Sequence, residues 1–405
     1  MSGPESILVA GAGAAGVSAV RALRRLGYDG ALTLVDSDAA GSYERPPLSK
    51  AALLDDKSSA ANFALLSDKD VRELEIEAIF GDGLVAIDPG ELNAVSVKGQ
   101  TFSSDRMLIA TGGRARRLPI AGADATGVFT LRNFADIDAI RARLKQTGRV
   151  TVIGGGLIGA ECVASFRSLG LEVVWLDVAP APLVHILPAA IANRLTESHR
   201  QLGVDLVTEA VIDRLESGPD GVTGVRLTDG SVYPTDIVLM GVGMTPSIDL
   251  AEKAGLVLEA GGIRVSSDQQ TSATGIFAAG DVAAVPEGRG WCRHEHWRAA
   301  EMQGERAAHG ILGLEYETPD ASWFWSDQGG HHVEMVGRKG ARSVLRAGDG
   351  TLTAFEIEND VLVGAASINE PNAVRVAVRL LRAGKTPTDA ELADPHQDLK
   401  KLLRA

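Results

Sequence analysis

The chain of 405 residues is short of thiols, aromatics and positive charge. Its only two cysteines, Cys162 and Cys292, form no C-x-x-C or C-x-x-x-x-C pair, so no dithiol can relay electrons. Cys162 reads as a small buried residue. Aromatics make up 4% of the chain while Gly occurs 46 times, a balance that suits α/β folds with many tight turns. No apolar run reaches the roughly eighteen residues of a membrane helix. The net charge of −13 argues against a general binder of nucleic acid or anionic membrane. Met1-Ser2-Gly3-Pro4-Glu5-Ser6 leads straight into an apolar strand without the charged and apolar regions of a signal peptide, so a cytoplasmic protein is expected. A chain of this length, with 45% apolar residues, can fill two to three domain cores.

What the chain does contain is a repeated glycine pattern. Gly11-Ala12-Gly13-Ala14-Ala15-Gly16 follows the apolar run Ile7-Leu8-Val9-Ala10. Gly154-Gly155-Gly156-Leu157-Ile158-Gly159 follows Val150-Thr151-Val152-Ile153. Both read G-x-G-x-x-G between a strand and a helix. The first glycine permits the tight turn, the second lets backbone approach a pyrophosphate, and the third lets helix pack on strand. The helix amino terminus adds free N–H groups and a positive dipole end. Each pattern has its acid: Leu32-Thr33-Leu34-Val35 ends in Asp36, and Val173-Val174-Trp175-Leu176 ends in Asp177. A carboxylate at that place accepts ribose hydroxyls. Asp177 would repel a 2′-phosphate, and residues 178–184 offer no Arg or Lys to receive one, which favours NADH over NADPH. Two dinucleotides on one chain are most simply a flavin and a nicotinamide that exchange hydride. The segment Gly41–Lys50 has no cysteine, so electrons must leave the flavin without a thiol.

The first nucleotide unit opens with strand 7–10, helix 15–26 and strand 32–36. Val17, Val20 and Leu23 line one helix face, with Arg21, Arg24 and Arg25 outside. Strand-rich segments near 79–87 and 93–97 precede the buried strand Met107–Gly113. Arg114-Ala115-Arg116-Arg117-Leu118-Pro119 is a basic border between nucleotide domains. The second unit closes with Asp236–Gly243. Ile276-Phe277-Ala278-Ala279-Gly280-Asp281 then reads as a strand returning to the first domain, followed by helix 297–312. Alternating strand runs begin near 320, and an Arg-rich helix, 371–383, ends them. The expected architecture is α/β. It has two Rossmann-like, glutathione-reductase-like domains, with an FAD domain (1–113 and 243–319) interrupted by an NAD domain (114–242). A C-terminal α+β interface domain (320–405) completes it.

These residues resemble the FAD-dependent NADH:ferredoxin reductases of the putidaredoxin reductase type, which serve Rieske oxygenases and bacterial cytochromes P450 and share the fold of apoptosis-inducing factor. The resemblance spans essentially the whole chain. It rests on Tyr43-Glu44-Arg45-Pro46-Pro47-Leu48-Ser49-Lys50, Ala110-Thr111-Gly112-Gly113, Gly154–Glu161, Gly241-Val242-Gly243-Met244-Thr245-Pro246, Ile276–Asp281 and Phe324-Trp325-Ser326-Asp327-Gln328. It implies FAD bound by Gly11, Gly13, Ala15, Gly16, Asp36, Arg45, Lys50, Thr111, Gly112, Arg132, Asp281, Trp297 and Trp325. It implies NAD bound by Gly154, Gly156, Ile158, Gly159, Asp177, Gly243 and Glu295. Lys50, paired with Glu161 beside the reactive end of the isoalloxazine, would stabilise the anionic reduced ring.

By the same resemblance NADH is the donor and a [2Fe-2S] ferredoxin the acceptor, with the reductase a monomer or weak homodimer. Ala181 and His185 stand where family members often carry Arg. Gly329-Gly330-His331-His332 is unusually small and polar, and without supporting Cys or acid spacing it predicts no metal. Docking an acidic ferredoxin on an acidic chain calls for local basic surface. Arg114, Arg116 and Arg117 offer one cluster; Arg338, Lys339, Arg342, Arg346, Arg375, Arg379 and Arg382 offer another, which reads equally as a solvated face. Two other readings stay open: a stand-alone NADH oxidase or diaphorase, and a non-enzymatic NADH-sensing redox flavoprotein.

Overall fold

The structure, a computed structural model, describes residues 3–145, 148–317, 321 and 323–403. The expected domain border at 319/320 lies outside the described residues. The chain forms two compact units, one of residues 1–47, 57–114 and 244–319, the other of residues 48–56, 115–243 and 320–405.

The first unit is built on a five-stranded parallel sheet in the order 276–278, 106–109, 6–10, 31–36, 77–80. Strand Ile276–Ala278 completes a sheet begun 270 residues earlier at Ser6, so the second parallel sheet lies in a segment inserted between strands of the first. Helices Ala14–Arg25 and Trp297–Leu312 pack on each other closely. A Cβ at Gly304 would lie 2.1 Å from the Ala15 carbonyl oxygen, so glycine sets that approach. Val17, Val20 and Leu23 are buried as their spacing predicts. Arg24 is not outside: it is half-buried and its guanidinium donates to the carbonyls of Leu74, Tyr28 and Gly30 at 2.7, 2.7 and 3.0 Å. Helical spacing cannot reveal acceptors beyond the helix end or fifty residues away. An antiparallel meander of strands Leu84–Asp88, Asn93–Ser96 and Thr101–Ser103 adds Ile87, Ala94 and Phe102 to a core shared with Leu8 and Ile109.

The second unit repeats the parallel design, with strands in the order 205–207, 172–176, 149–153, 237–240, 128–129. Trp175 and Phe166 are fully buried within it. The same unit holds residues 48–56: the Arg141 guanidinium donates to the carbonyls of Ala52 and Asp55 and lies 5.7 Å from the Phe134 ring centroid. It also holds a five-stranded antiparallel sheet in the order 323–328, 331–337, 361–368, 351–358, 342–348. Helix Pro371–Ala383 covers that sheet. Pro371 pre-sets its first turn, and Gly384, with φ +61°, ends it in the left-handed conformation. Its apolar face (Val374, Ala377, Leu380) joins Val336 and Phe355 in a core, each buried Val, Leu or Phe contributing about 1.5–3 kcal/mol. Arg375, Arg379 and Arg382 stand exposed on the opposite face. Among the described residues no helix is long and apolar enough to cross a membrane.

Candidate functional site

In the first unit the glycine turn has the geometry of a dinucleotide cradle. Gly11 has φ +114°, and a Cβ there would lie 2.2 Å from the Ala110 carbonyl oxygen. A Cβ at Gly16 would lie 1.9 Å from the Gly11 oxygen. A Cβ at Gly13 would meet nothing within 4 Å. The outer glycines are therefore fixed by the protein's own packing, and the middle one leaves open space. Helix Ala14–Arg25 starts there with no side chain capping its N–H groups. Asp36 holds the turn: its Oδ2 accepts from the Ala12 N–H at 2.6 Å and its Oδ1 from the Asp38 N–H at 2.8 Å. Ala15 is buried behind the turn.

The turn in the second unit matches it. Gly154 has φ +109° with a would-be Cβ 2.4 Å from the Gly241 oxygen, and a Cβ at Gly159 would lie 2.2 Å from the Gly154 oxygen. A Cβ at Gly156 would come no nearer than 4.0 Å to another residue's atoms, and one at Gly243 would meet nothing within 4 Å. Asp177 lies over this turn, its Oδ2 only 1.8 Å from where a Gly155 Cβ would stand. Burial pushes the Asp177 carboxyl above the ordinary carboxylate value, against N–H donors from Ala179, Gly155 and Val178 that favour its charge. Ile158, at the start of helix Leu157–Ser168, is 43% exposed, which leaves apolar surface beside the open glycine.

The second unit also joins Lys50 to Glu161. Lys50 Nζ lies 3.1 Å from Glu161 Oε1, and the Glu161 side chain is only 5% exposed. Three hydroxyls that the sequence reading did not single out complete this centre. Ser49 Oγ donates to Glu161 Oε2, Ser326 Oγ donates to Oε1 at 2.7 Å, and Ser165 Oγ donates to the Ser49 carbonyl at 2.7 Å. Gln328 Nε2 donates to Ser326 Oγ at 3.1 Å, and its Oε1 lies 2.9 Å from His199 Nε2. Burial holds the His199 pKa below the ordinary value, and because an amide oxygen only accepts, Nε2 is the donor in this contact. Every hydrogen of this chain thus points toward Glu161. Only the placement of Ser49 and Ser326 inside the two most distinctive motifs could have signalled them.

The remaining predicted residues take these places. Thr111 Oγ1 donates to the Ser247 carbonyl at 2.9 Å, and the Gly112 carbonyl accepts from the Ser247 N–H at 2.9 Å. The Arg45 guanidinium lies 5.7 Å from the Tyr43 ring centroid. Asp281 is half-buried just past the returning strand, its carbonyl accepting from Arg293 at 3.2 Å. Glu295 is exposed and paired with Arg293 at 2.8 Å. Trp297 begins its helix half-buried. The backbone N–H of Arg132 donates to Asp136, which also caps helix Phe134–Leu144. Trp325 sits half-buried with its ring 5.6 Å from that of Trp323.

Burial holds the Cys162 thiol far above its ordinary pKa, and burial with Glu287 pushes Cys292 up to about 12. His332 has acid partners that spacing did not show: Asp327 at 2.6 Å and Glu334 at 3.1 Å. Of the basic clusters, Arg114 pairs with Asp249 at 2.9 Å and Arg117 donates to the Ala123 and Val128 carbonyls. Arg338 and Arg342 pair with Glu358 and Asp389, and buried Arg346 donates to the Asp394 and Gln397 carbonyls.

Comparison with known proteins agrees with this geometry. Residues 5–304 match the family described as pyridine nucleotide-disulphide oxidoreductase, and residues 323–403 match the reductase C-terminal family. The chain is 33% identical over 397 residues to the ferredoxin--NAD(+) reductase component of the p-cumate 2,3-dioxygenase system of Pseudomonas putida, covering 96% of each. Its fold superimposes with a TM-score of 0.94 on the ferredoxin reductase for the CYP199A2 system from Rhodopseudomonas palustris, at 31% identity over 98% of this chain and 99% of the other. The reductase in the covalent putidaredoxin reductase–putidaredoxin complex also gives 0.94, at 29% identity over 100% and 99%. The cradles fit the two cofactors of such enzymes, FAD and NAD(H), because each leaves its middle glycine open and holds an acid over the turn. The chain belongs to the pyridine nucleotide-disulphide oxidoreductases, among the ferredoxin--NAD(+) reductases that carry a reductase C-terminal domain.

Proposed function

We propose that this oxidoreductase takes hydride from NADH and delivers electrons singly to a [2Fe-2S] ferredoxin that serves a Rieske oxygenase or cytochrome P450. It would work in the cytoplasm as a monomer or weak homodimer. The observation that carries this reading is the pair of open cradles at Gly13 and Gly156 on a chain whose two thiols are both held protonated. FAD, when bound, supplies the conversion from two-electron to one-electron chemistry.

The protein's residues do the rest. Gly11, Gly13 and Gly16 with the helix amino terminus hold the FAD pyrophosphate, and Asp36 takes the ribose. Arg45, Thr111, Gly112, Arg132, Asp281, Trp297 and Trp325 hold and orient the remainder. Gly154, Gly156 and Gly159 hold the NADH pyrophosphate, Asp177 its ribose, and Ile158, Gly243 and Glu295 the nicotinamide half. Lys50 supplies fixed positive charge where reduction builds negative charge, and Glu161, held by Ser49 and Ser326, keeps the ammonium in place.

An anaerobic titration tests the reading. NADH should bleach the yellow protein stoichiometrically, and oxidised ferredoxin should restore the colour. Bleaching that ferredoxin fails to reverse, while oxygen or a quinone does so quickly, would point instead to an oxidase.

A further inference from the structure

In the first unit, strands Ala283–Glu287 and Gly290–Cys292 form a tight hairpin in which Val285 faces Cys292 across the ladder. Side chains alternate along a strand, so Glu287, two residues past Val285, lies on the face of Cys292, and so does His294, two past Cys292. Three chemically different ligand atoms meet there. Cys292 Sγ is 2.5 Å from Glu287 Oε2 and 3.1 Å from His294 Nε2, and His294 Nε2 is 3.2 Å from Glu287 Oε2. Among the described residues this is the one group of three such side chains with ligand atoms all within 4.8 Å of one another. Neither the nucleotide cradles nor the Lys50–Glu161 centre uses any of them.

We propose that Glu287, Cys292 and His294 bind one zinc-type divalent cation. A tetrahedral zinc with sulfur, nitrogen and oxygen ligands needs donor–donor edges of about 3.3–3.6 Å. The His294–Glu287 edge is there already, and the thiol must retreat by about an ångström, which an exposed hairpin tip allows. The mixed donor set selects zinc over magnesium or calcium, which prefer oxygen alone. Charge balances: as the sulfur–metal bond forms, the Cys292 proton leaves to solvent, and thiolate plus carboxylate neutralise the dication. Three protein ligands leave a fourth position for water, and side-chain exposures of 41% for His294 and 58% for Glu287 give the ion a path in. Arg293, between the two ligands Cys292 and His294, pairs with Glu295 at 2.8 Å and donates to the Asp281 carbonyl. An ion at the hairpin therefore stiffens the segment that presents Asp281, Glu295 and Trp297.

Equilibrium dialysis of the FAD-loaded enzyme against zinc chloride, read by elemental analysis, tests the site. Wild type should bind one equivalent, and Cys292→Ser and His294→Gln should each weaken binding at least about tenfold. Zinc should also protect Cys292 from alkylation, a clean signal because Cys162 is fully buried. The flavin spectrum and NADH–ferricyanide activity of the variants confirm that they are folded. No zinc uptake by wild type, or uptake that both variants retain in full, overturns the proposal.

Discussion

The Lys50 ammonium and the Glu161 carboxylate are held 3.1 Å apart, with the lysine side chain 21% exposed and the glutamate 5%. A buried ion pair of this kind is a poor source of stability, because desolvation offsets most of the attraction. Its value lies in position. Lys50→Met should slow flavin reduction by NADH at least about tenfold, a barrier change of about 1.4 kcal/mol. Ser49 and Ser326 still donate to Glu161, so the protein should stay folded and yellow. Anaerobic stopped-flow absorbance measures the rate; an unchanged rate would make the pair merely structural.

Ser326 acts on Lys50 only through Glu161. Ser326→Ala removes one charge-assisted hydrogen bond, worth about 1.5–3 kcal/mol. It should lower the reduction rate less than Lys50→Met does. In the Glu161→Gln background the serine mutation should have no further effect on that rate, and additive losses would break the proposed link.

Asp177 lies against the second glycine turn, and in the proposed NADH pose a 2′-phosphate would meet its carboxylate. NADH should be preferred to NADPH at least about tenfold in kcat/KM, and Asp177→Ala should erase most of that preference. Comparable efficiencies with both nucleotides in wild type would place the ribose elsewhere.

The two glycine classes should separate by experiment. Gly13→Val adds atoms to open space, so the protein should fold but retain little FAD after gel filtration. Gly16→Ala drives a methyl into the Gly11 carbonyl and should lower the thermal midpoint itself. A Gly13→Val protein that keeps its flavin would show that the cradle is not where the pyrophosphate lies.

Much of this was legible in sequence because it is local. Glycine spacing and terminal acids define both cradles, and the helices expected at 15–26 and 371–383 occur at Ala14–Arg25 and Pro371–Ala383. What escaped is non-local. Ser49 and Ser326 reach Glu161 from more than a hundred residues away in sequence, Ser165 holds the Ser49 carbonyl, and nothing in periodicity marks a serine for either task. The Lys50–Glu161 pairing hinted that segment 48–56 joins the second unit, but the Arg141 guanidinium that reaches its Ala52 and Asp55 carbonyls left no mark in the sequence. The acids around His332 come from two directions: Asp327 faces it across a hairpin, and Glu334 stands two residues on along the same strand.

His332 carries a pH signature. Burial opposes its charge, but hydrogen bonds and attraction from Asp327 and Glu334 prevail and raise its pKa above 6.5. A raised folded-state pKa contributes stability that is full below the unfolded value and lost as pH rises through the folded one. The thermal-midpoint gap between wild type and His332→Gln should therefore be widest near about pH 6 and close toward about pH 9. A gap that widens with pH would reverse the assignment.

Arg375 and Arg379 stand exposed on helix Pro371–Ala383, Arg375 donating to Asn372 of the same helix at 3.4 Å, whereas Arg114 pairs with an acid and Arg117 donates to two backbone carbonyls. Arg375→Glu with Arg379→Glu should raise KM for an acidic ferredoxin and reduce its salt dependence, leaving NADH–ferricyanide turnover near normal. If ferredoxin kinetics do not change, the docking face lies elsewhere.

The central claim is that electrons from NADH leave this protein to a ferredoxin. Steady-state cytochrome c reduction, measured over a titration with a [2Fe-2S] ferredoxin, tests it most directly. The account predicts a rate near background without ferredoxin that rises to saturation as ferredoxin is added, and that survives Cys162→Ser and Cys292→Ser together. A rate that is the same with and without ferredoxin would contradict it.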